Sequence, residues 1–296
     1  MAYFDENTLI YHDGQWLEAT AAVTGLYSQS LHYGYAVFEG IRAYATESGP
    51  LIFKAEAHYR RLQHSAARLH IPCKYSVEEL TAITYTLLEK NKLSDAYIRP
   101  LLYVRMPNMG LKPSAEANLL IVAWQWGKYL GDKLLHMTLS PYERPNPKAF
   151  HIDAKASGHY VNSITASFEA QQRGFDEALL LDAQGFVAEA PGANFFMEKD
   201  GRLLTPTTDN ILNGITRQTI IELAQQRNIP VEECRIRPEE ILQADSAFLT
   251  GTAAEIAPIG AFENYTFPKS FDQSLGAVLY ADFLQLVRQQ PQMQTI

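Results

Sequence analysis

The chain has 296 residues, 47% of them hydrophobic and 20% charged, a globular composition that excludes a disordered protein. Its formal net charge of −8 argues against a nucleic-acid or anionic-membrane partner, since both favour a basic surface. The two cysteines, Cys73 and Cys234, lie far apart without metal-site spacing, as expected of ordinary thiols in a reducing compartment. The start Met1-Ala2-Tyr3-Phe4-Asp5-Glu6 shows no secretory signal, and the most apolar segment, Leu119 to Trp126, is too short to span a bilayer. A soluble cytoplasmic protein is expected.

Along the chain, Thr8 to Tyr11 and Trp16 to Glu18 read as strands turning at Asp13-Gly14, a hairpin signal. Helical periodicity predicts a helix over Ala55 to Leu69, with Leu62, Ala66 and Leu69 on one face, and a second over Val77 to Lys90. Ala96 to Val104 and Leu119 to Trp126 read as strands, so the first half has an α+β pattern rather than that of a doubly wound sheet. The polar, glycine-containing stretch 127–134 is placed as an interdomain connection, giving a smaller N-terminal domain over 1–126 and a C-terminal domain over 135–296. In the second half, strands are expected at Leu135 to Leu139, Glu177 to Asp182, Phe186 to Ala190 and Ala247 to Thr250. Asn194 to Met197 and Arg202 to Thr205 form a hairpin across Lys199-Asp200-Gly201, and helices are expected over Asn162 to Gln172 and from Thr216 to Gln226.

Four segments of the second half carry candidate chemistry. Lys155 lies among small residues, Ala154, Ala156, Ser157 and Gly158, which leave room for a flat ring against the backbone. An imine-forming lysine must be deprotonated to attack a carbonyl, although any single lysine is ordinarily a surface residue. Glu189 sits in the apolar run Phe186-Val187-Ala188-Glu189-Ala190 and is either an outward-facing strand residue or an acid held beside a cofactor nitrogen. Gly214-Ile215-Thr216 opens a helix, where free N–H groups suit a phosphate, and Thr216 equally suits a helix N-cap. The turn Gly251-Thr252-Ala253-Ala254 offers a second anion nest. In the first half, Tyr97 and Arg99 share one strand face and together suit a carboxylate or a structural ion pair. Leu31 to Arg42 is dense in aromatics, and Arg61, read alone, is a solvated helix charge.

Taken in order, the stretches "LHYGYAVFEGIRAY", "HYRRLQHSA", "AYIRPL", "AKASGHYVNS", "DEALLLDAQGFVAEAPGANFF", "NGITRQTIIELA" and "DSAFLTGTAAEIAPI" resemble the class IV aminotransferases of pyridoxal-phosphate fold type IV. Within that class the resemblance is to the branched-chain amino acid aminotransferases. It implies a two-domain α+β fold like that of D-amino acid aminotransferase, assembled as a homodimer or higher homo-oligomer. It also implies pyridoxal 5'-phosphate as cofactor and transfer of an amino group between leucine, isoleucine or valine and 2-oxoglutarate, as in branched-chain amino acid biosynthesis.

The resemblance assigns the cofactor imine and the proton transfer to Lys155, the ring nitrogen to Glu189 and the ring oxygen to Tyr160. Phosphate falls to Arg61, the backbone of Ile215 and Thr216, and Thr252. Tyr97 with Thr252 and Ala253 would take the substrate α-carboxylate and Arg99 the side-chain carboxylate of glutamate. Phe38, Tyr33, Trp126 and Tyr129 would line an apolar pocket. Two features depart from the family pattern. Ala193 stands where an acid is usual in the family, which removes a charge near Glu189, and the 105–113 loop, which in the family helps form a neighbouring subunit's pocket, is atypical. The alternatives are a D-amino acid transaminase, an aminodeoxychorismate lyase or a non-catalytic ligand-binding relative.

Overall fold

The computed structural model describes residues 3–104, 107–127, 130–131 and 133–289. The chain forms two compact units, one built of Met1–Gly127, Ala154–Gly158 and the chain from Leu284, the other of Lys128–Asp153 and His159–Phe283. The division falls at Gly127/Lys128, within the expected connection, of which Lys128, Tyr129 and Asp132 lie outside the described residues. The Lys155 segment lies within the sequence stretch assigned to the C-terminal domain, yet it packs as part of the first unit.

The first unit contains β1 (Leu9–His12), β2 (Gln15–Glu18), α1 (Gln29–Tyr33), β3 (Ala36–Phe38), β4 (Ile41–Thr46) and β5 (Gly49–Ile52). It continues with α2 (Ala55–Arg68), α3 (Val77–Lys90), β6 (Ala96–Tyr103) and β7 (Asn118–Trp124). The β1–β2 hairpin turns through Asp13 and Gly14, both at positive φ (47° and 88°), which matches the twist of its strands. Its sheet runs β2-β1-β7-β6-β4-β5, with β3 also on β6, and every pairing is antiparallel. Ser76 and Glu79 form a reciprocal capping box that starts α3 where the leucine periodicity begins. Leu62, Ala66, Leu80, Leu87 and Leu88 of the two helices pack on Ile41, Ile98 and Ile121 of the sheet. Each buried leucine contributes about 2 kcal/mol.

Ala154–Gly158 lies antiparallel beside β3: the Phe38 N–H donates to the Lys155 carbonyl at 3.1 Å and the Gly158 N–H to the Gly34 carbonyl at 3.0 Å. A Cβ on Gly34 would lie 2.7 Å from the Gly158 Cα, and Gly34 has φ +66°, so both space and conformation demand glycine there.

The second unit contains β8 (Leu135–Glu143), α4 (Tyr160–Gln172), β9 (Glu177–Leu181), β10 (Glu189–Ala190), β11 (Ala193–Lys199), β12 (Arg202–Pro206) and α5 (Ile215–Gln226). It continues with β13 (Val231–Cys234), α6 (Pro238–Ile241), β14 (Ser246–Gly251), β15 (Glu255–Phe262), β16 (Tyr265–Thr266) and α7 (Leu275–Leu286), the last three residues of α7 belonging to the first unit. The mixed sheet runs β13-β12-β11-β14-β15-β8-β9, with β10 on β11 and β16 on β15. Its core gathers Met137, Leu179, Phe195, Met197, Leu249 and Ile259. With antiparallel hairpins and helices in both units, the architecture is the expected α+β class.

Two local expectations need correction. Phe186 to Ala190 is not one strand, because its amides go to different partners: Phe186 N–H to the Asp182 carboxylate, Val187 N–H to the Ile236 carbonyl and Ala188 N–H to the Leu180 carbonyl. Only Glu189–Ala190 pairs regularly, with β11. Thr216 is not the N-cap of α5. Gly214 takes that place in extended conformation, and Thr216 is buried inside the first turn. Among the described residues, no helix is long and apolar enough to cross a membrane, and no cluster of His, Cys, Asp or Glu could hold a metal.

Candidate active site

In the first unit the candidate side chains gather where β3, β6 and the Lys155 segment meet. Lys155 is half-buried, with its backbone N–H donating to the Ser65 hydroxyl at 2.9 Å. Its ammonium lies 4.9 Å from the centre of the Phe38 ring, and the Arg99 guanidinium rests on the same ring at 4.6 Å. Arg99 Nη2 donates to the Tyr97 hydroxyl at 3.2 Å, and its buried Nε has no hydrogen-bond partner among the described residues. The alternation of β6 puts Tyr97 and Arg99 on one face, as expected. The Tyr97 ring packs edge-on to Trp126 at 4.8 Å and tilted on Trp124 at 5.1 Å. Tyr97 also closes over Gly40, where a Cβ would lie 2.0 Å from its hydroxyl oxygen.

Beside this group, α2 carries Arg61 into a buried network. Glu39 is fully buried and accepts from Arg61 Nε at 2.6 Å, from Arg61 Nη2 at 3.0 Å and from His58 Nδ1 at 2.7 Å. Burial alone would raise the Glu39 carboxyl, but the Arg61 charge and the His58 hydrogen bond outweigh it and hold the group at about 2. Burial, which outweighs the Glu39 contact, lowers His58, so the imidazole is a neutral donor rather than half of an ion pair. Arg61 is therefore no solvated helix charge. One edge of its guanidinium is occupied by Glu39.

Tyr33 lies apart from that group at the exposed end of α1, its hydroxyl donating to the Met109 carbonyl at 3.1 Å. In the 105–113 loop, Arg105 and Met106 lie outside the described residues, as does Tyr129. The rest of the loop is tied to α1 through Gln29, whose Nε2 donates to the Lys112 carbonyl at 2.8 Å.

In the second unit Glu189 is 5% exposed, which rules out the outward-facing strand position. Its Oε1 accepts from Arg144 Nη2 at 2.8 Å and the Leu212 N–H at 3.2 Å, and its Oε2 from Asn194 Nδ2 at 2.9 Å. Asn194 Nδ2 also donates to the Leu212 carbonyl at 2.9 Å, so the acid is bound to the segment leading into α5. The N-cap of α5 is Gly214, which has no side chain to cap the helix, and the first-turn amides of Ile215 and Thr216 with the positive end of the helix dipole suit an anion. The buried Arg217 fixes this entry from behind, donating to the Pro206 carbonyl at 2.8 Å and to Glu233 at 2.6 Å.

Thr252 and Ala253 are half-buried in the turn between β14 and β15. The turn closes at Glu255, at φ +55°, and Gly251 lies so near Gly192 and Ala193 that a Cβ on it would come within 3.2 Å of the Gly192 carbonyl. Ala193 is thus a buried neighbour of the turn. Tyr160 is half-buried as the first residue of α4. His159 just before it is lowered to about 4, by burial first and then by the charge of Arg144.

Sequence reasoning missed Glu39, His58, Arg144 and Asn194. A carboxylate inside the apolar run Ala36-Val37-Phe38-Glu39, with His58 and Arg61 three apart on a helix, was a usable signal for the first pair. Arg144 had none, because its partner comes from a distant strand.

Known proteins resemble the chain over most of its length. The model of the amino-transferase class IV family matches residues 36–262. A branched-chain-amino-acid aminotransferase of Pseudomonas aeruginosa is 40% identical over 264 residues, covering 88% of this chain and 86% of its own. The crystal structure of the Escherichia coli branched-chain amino acid aminotransferase superposes with a TM-score of 0.92 at 33% identity, covering 98% of this chain and 97% of its own. That of the Thermobaculum terrenum enzyme in its PLP form gives 0.89 at 32% identity, covering 96% and 95%. The chain belongs to the amino-transferase class IV family.

Proposed function

We propose that the protein is a pyridoxal-phosphate-dependent branched-chain amino acid aminotransferase, exchanging an amino group between L-leucine, L-isoleucine or L-valine and 2-oxoglutarate. The observation that carries the reading is the pairing of Lys155 and Arg99 on the single ring of Phe38, a reactive amine beside a carboxylate receptor. The chain's residues suit the cofactor: a buried acid on fixed donors for a ring nitrogen, an uncapped helix start and a half-exposed turn for a phosphate, and a lysine among small residues.

When bound, the cofactor supplies an electron sink for the substrate α-carbon. Lys155 holds the cofactor and moves the proton at that carbon. Glu189 holds the ring nitrogen and Tyr160 the ring oxygen. Arg61, the amides of Ile215 and Thr216, and the Thr252 hydroxyl bind the phosphate. Tyr97, with the Thr252-Ala253 turn, orients the substrate carboxylate, and Arg99 receives the second carboxylate of glutamate. Phe38 and Trp126 exclude water around an apolar side chain, so one site serves an acidic and an apolar substrate in alternation.

The protein works as a homodimer in the cytoplasm. Support comes from the free thiols Cys73 and Cys234 and from an apolar face on α4, where Val161, Ile164 and Phe168 are 68%, 67% and 60% exposed. The deciding experiment offers a panel of amino donors, including both leucine enantiomers, with 2-oxoglutarate. Glutamate forms with the three L-branched-chain donors. Turnover confined to D-leucine, or visible absorbance that L-leucine leaves unchanged, refutes the assignment.

A further inference from the structure

Asn194 touches both ends of the second unit's candidate site. Its Nδ2 donates to Glu189 Oε2 and to the Leu212 carbonyl, each at 2.9 Å. Both partners only accept, so the amide has one possible orientation and cannot turn without losing both bonds. The opposite edge abuts the turn: a Cβ on Gly214 would lie 2.0 Å from Asn194 Oδ1 and 3.2 Å from its Cγ. Gly214 has φ −69°, open to any residue, so glycine is required by the approach of Asn194 and not by the backbone. The Leu212 N–H closes the loop by returning to Glu189 Oε1 at 3.2 Å. Arg144 already balances the charge of Glu189, so a 4%-exposed amide at position 194 contributes geometry rather than neutralisation.

We infer that Asn194 is a positioning residue that locks the Glu189 carboxylate to the Gly214 turn, so that acid and phosphate cradle keep one fixed spacing. The inference rests on the cofactor reading proposed above. A rigid ligand with a ring nitrogen at one end and a phosphate at the other must satisfy both together. Fixing their separation during folding removes an ordering cost from binding. Two consequences are specific to such a lock: damage at Asn194 weakens phosphate recognition, and damage at Gly214 disturbs the ring-nitrogen end.

The test titrates wild-type apoenzyme, Asn194→Ala and Asn194→Asp with pyridoxal 5'-phosphate, with pyridoxal, and with inorganic phosphate as competitor. Wild type prefers the phosphorylated ligand. Both variants are expected to lose about tenfold or more of that preference and to bind inorganic phosphate more weakly. The Asp variant, of the same shape but with a carboxylate facing two acceptors, loses most and recovers in part as pH falls. Gly214→Ala, measured in the loaded protein, shifts the pH titration of the bound cofactor's absorbance. A preference and a titration equal to wild type, with only the melting temperature lowered, would overturn the inference and leave Asn194 a packing residue. A wild-type protein with no preference for the phosphorylated ligand would instead overturn the cofactor reading.

Discussion

Gly40→Ala tests the Tyr97 site with a single methyl group. The added Cβ would lie 2.0 Å from the Tyr97 hydroxyl oxygen and 2.9 Å from Cζ, and Gly40 has no positive φ, so the steric clash is the whole perturbation. Restoring ordinary contact moves the phenol end by roughly 1.5 Å. Tyr97 is 6% exposed and wedged against Trp126 and Trp124, so it cannot swing aside freely. Its bond from Arg99 Nη2, already 3.2 Å, breaks at that displacement. Overpacking of this kind costs about 1–3 kcal/mol of stability. A misplacement on the order of 1 Å at a substrate-orienting group costs about a hundredfold in rate. The assay is kcat/KM for leucine and for glutamate with a parallel melting curve, using Tyr97→Phe as the variant that loses only the hydroxyl. Gly40→Ala should fall below Tyr97→Phe on both substrates. If Gly40→Ala melts lower yet keeps wild-type kcat/KM, Tyr97 does not orient substrate.

Arg99→Ala should reduce kcat/KM for glutamate by about tenfold to a hundredfold, the value of a charge-assisted hydrogen bond, and for leucine by much less; equal losses on both substrates would refute its role. Glu39→Gln removes a carboxylate held at about 2 against an ordinary 4.5. Because that value is depressed, its stabilisation is complete above 4.5 and disappears as pH falls towards 2. The variant should lose about 3 kcal/mol at neutral pH and show a flatter melting temperature across that window, and an unchanged acid slope would exclude the role. His159, lowered from 6.5 to about 4, is kept neutral in the fold, so acidification through that interval favours the unfolded chain by up to about 3 kcal/mol. His159→Phe should remove that part of the acid sensitivity, as read from melting temperatures between pH 7 and 4.

Elements whose signals are local were readable from the chain. Val77–Lys90 begins at the Ser76/Glu79 box and keeps its leucine period, and Asp13-Gly14 and Asp200-Gly201 turn with the positive φ those residue pairs favour. Phe186 to Ala190 misled because its amides bond to Asp182, Ile236 and Leu180, partners invisible to any window. Glu189 was undecided between surface and site for the same reason, since its burial depends on Arg144 and on the Leu212 amide. Lys155 could be picked out by its small neighbours and the ordered motifs downstream. Its packing beside Phe38, within the first unit, required the structure.

Glu39 in the first unit and Glu189 in the second are each buried against an arginine, and the two pairs differ in a way that bears on function. Compared with an apolar pair of similar size, a buried ion pair gives little net stability, because desolvating two charges offsets most of their attraction, although removing one partner alone is costly. Retaining both therefore points to use rather than to stability. In the first unit the Glu39 side chain is 0% exposed and that of Arg61 15%, so the acid is the support and the cation the presented group, suited to an anion. In the second, the side chains of Glu189 and Arg144 are equally buried at 7%, but Glu189 also holds the Leu212 amide and Asn194. There the acid is the fixed point from which the α5 entry is placed. Under the proposed cofactor reading, the first acid would orient an arginine for a phosphate, and the second would itself face a ring nitrogen.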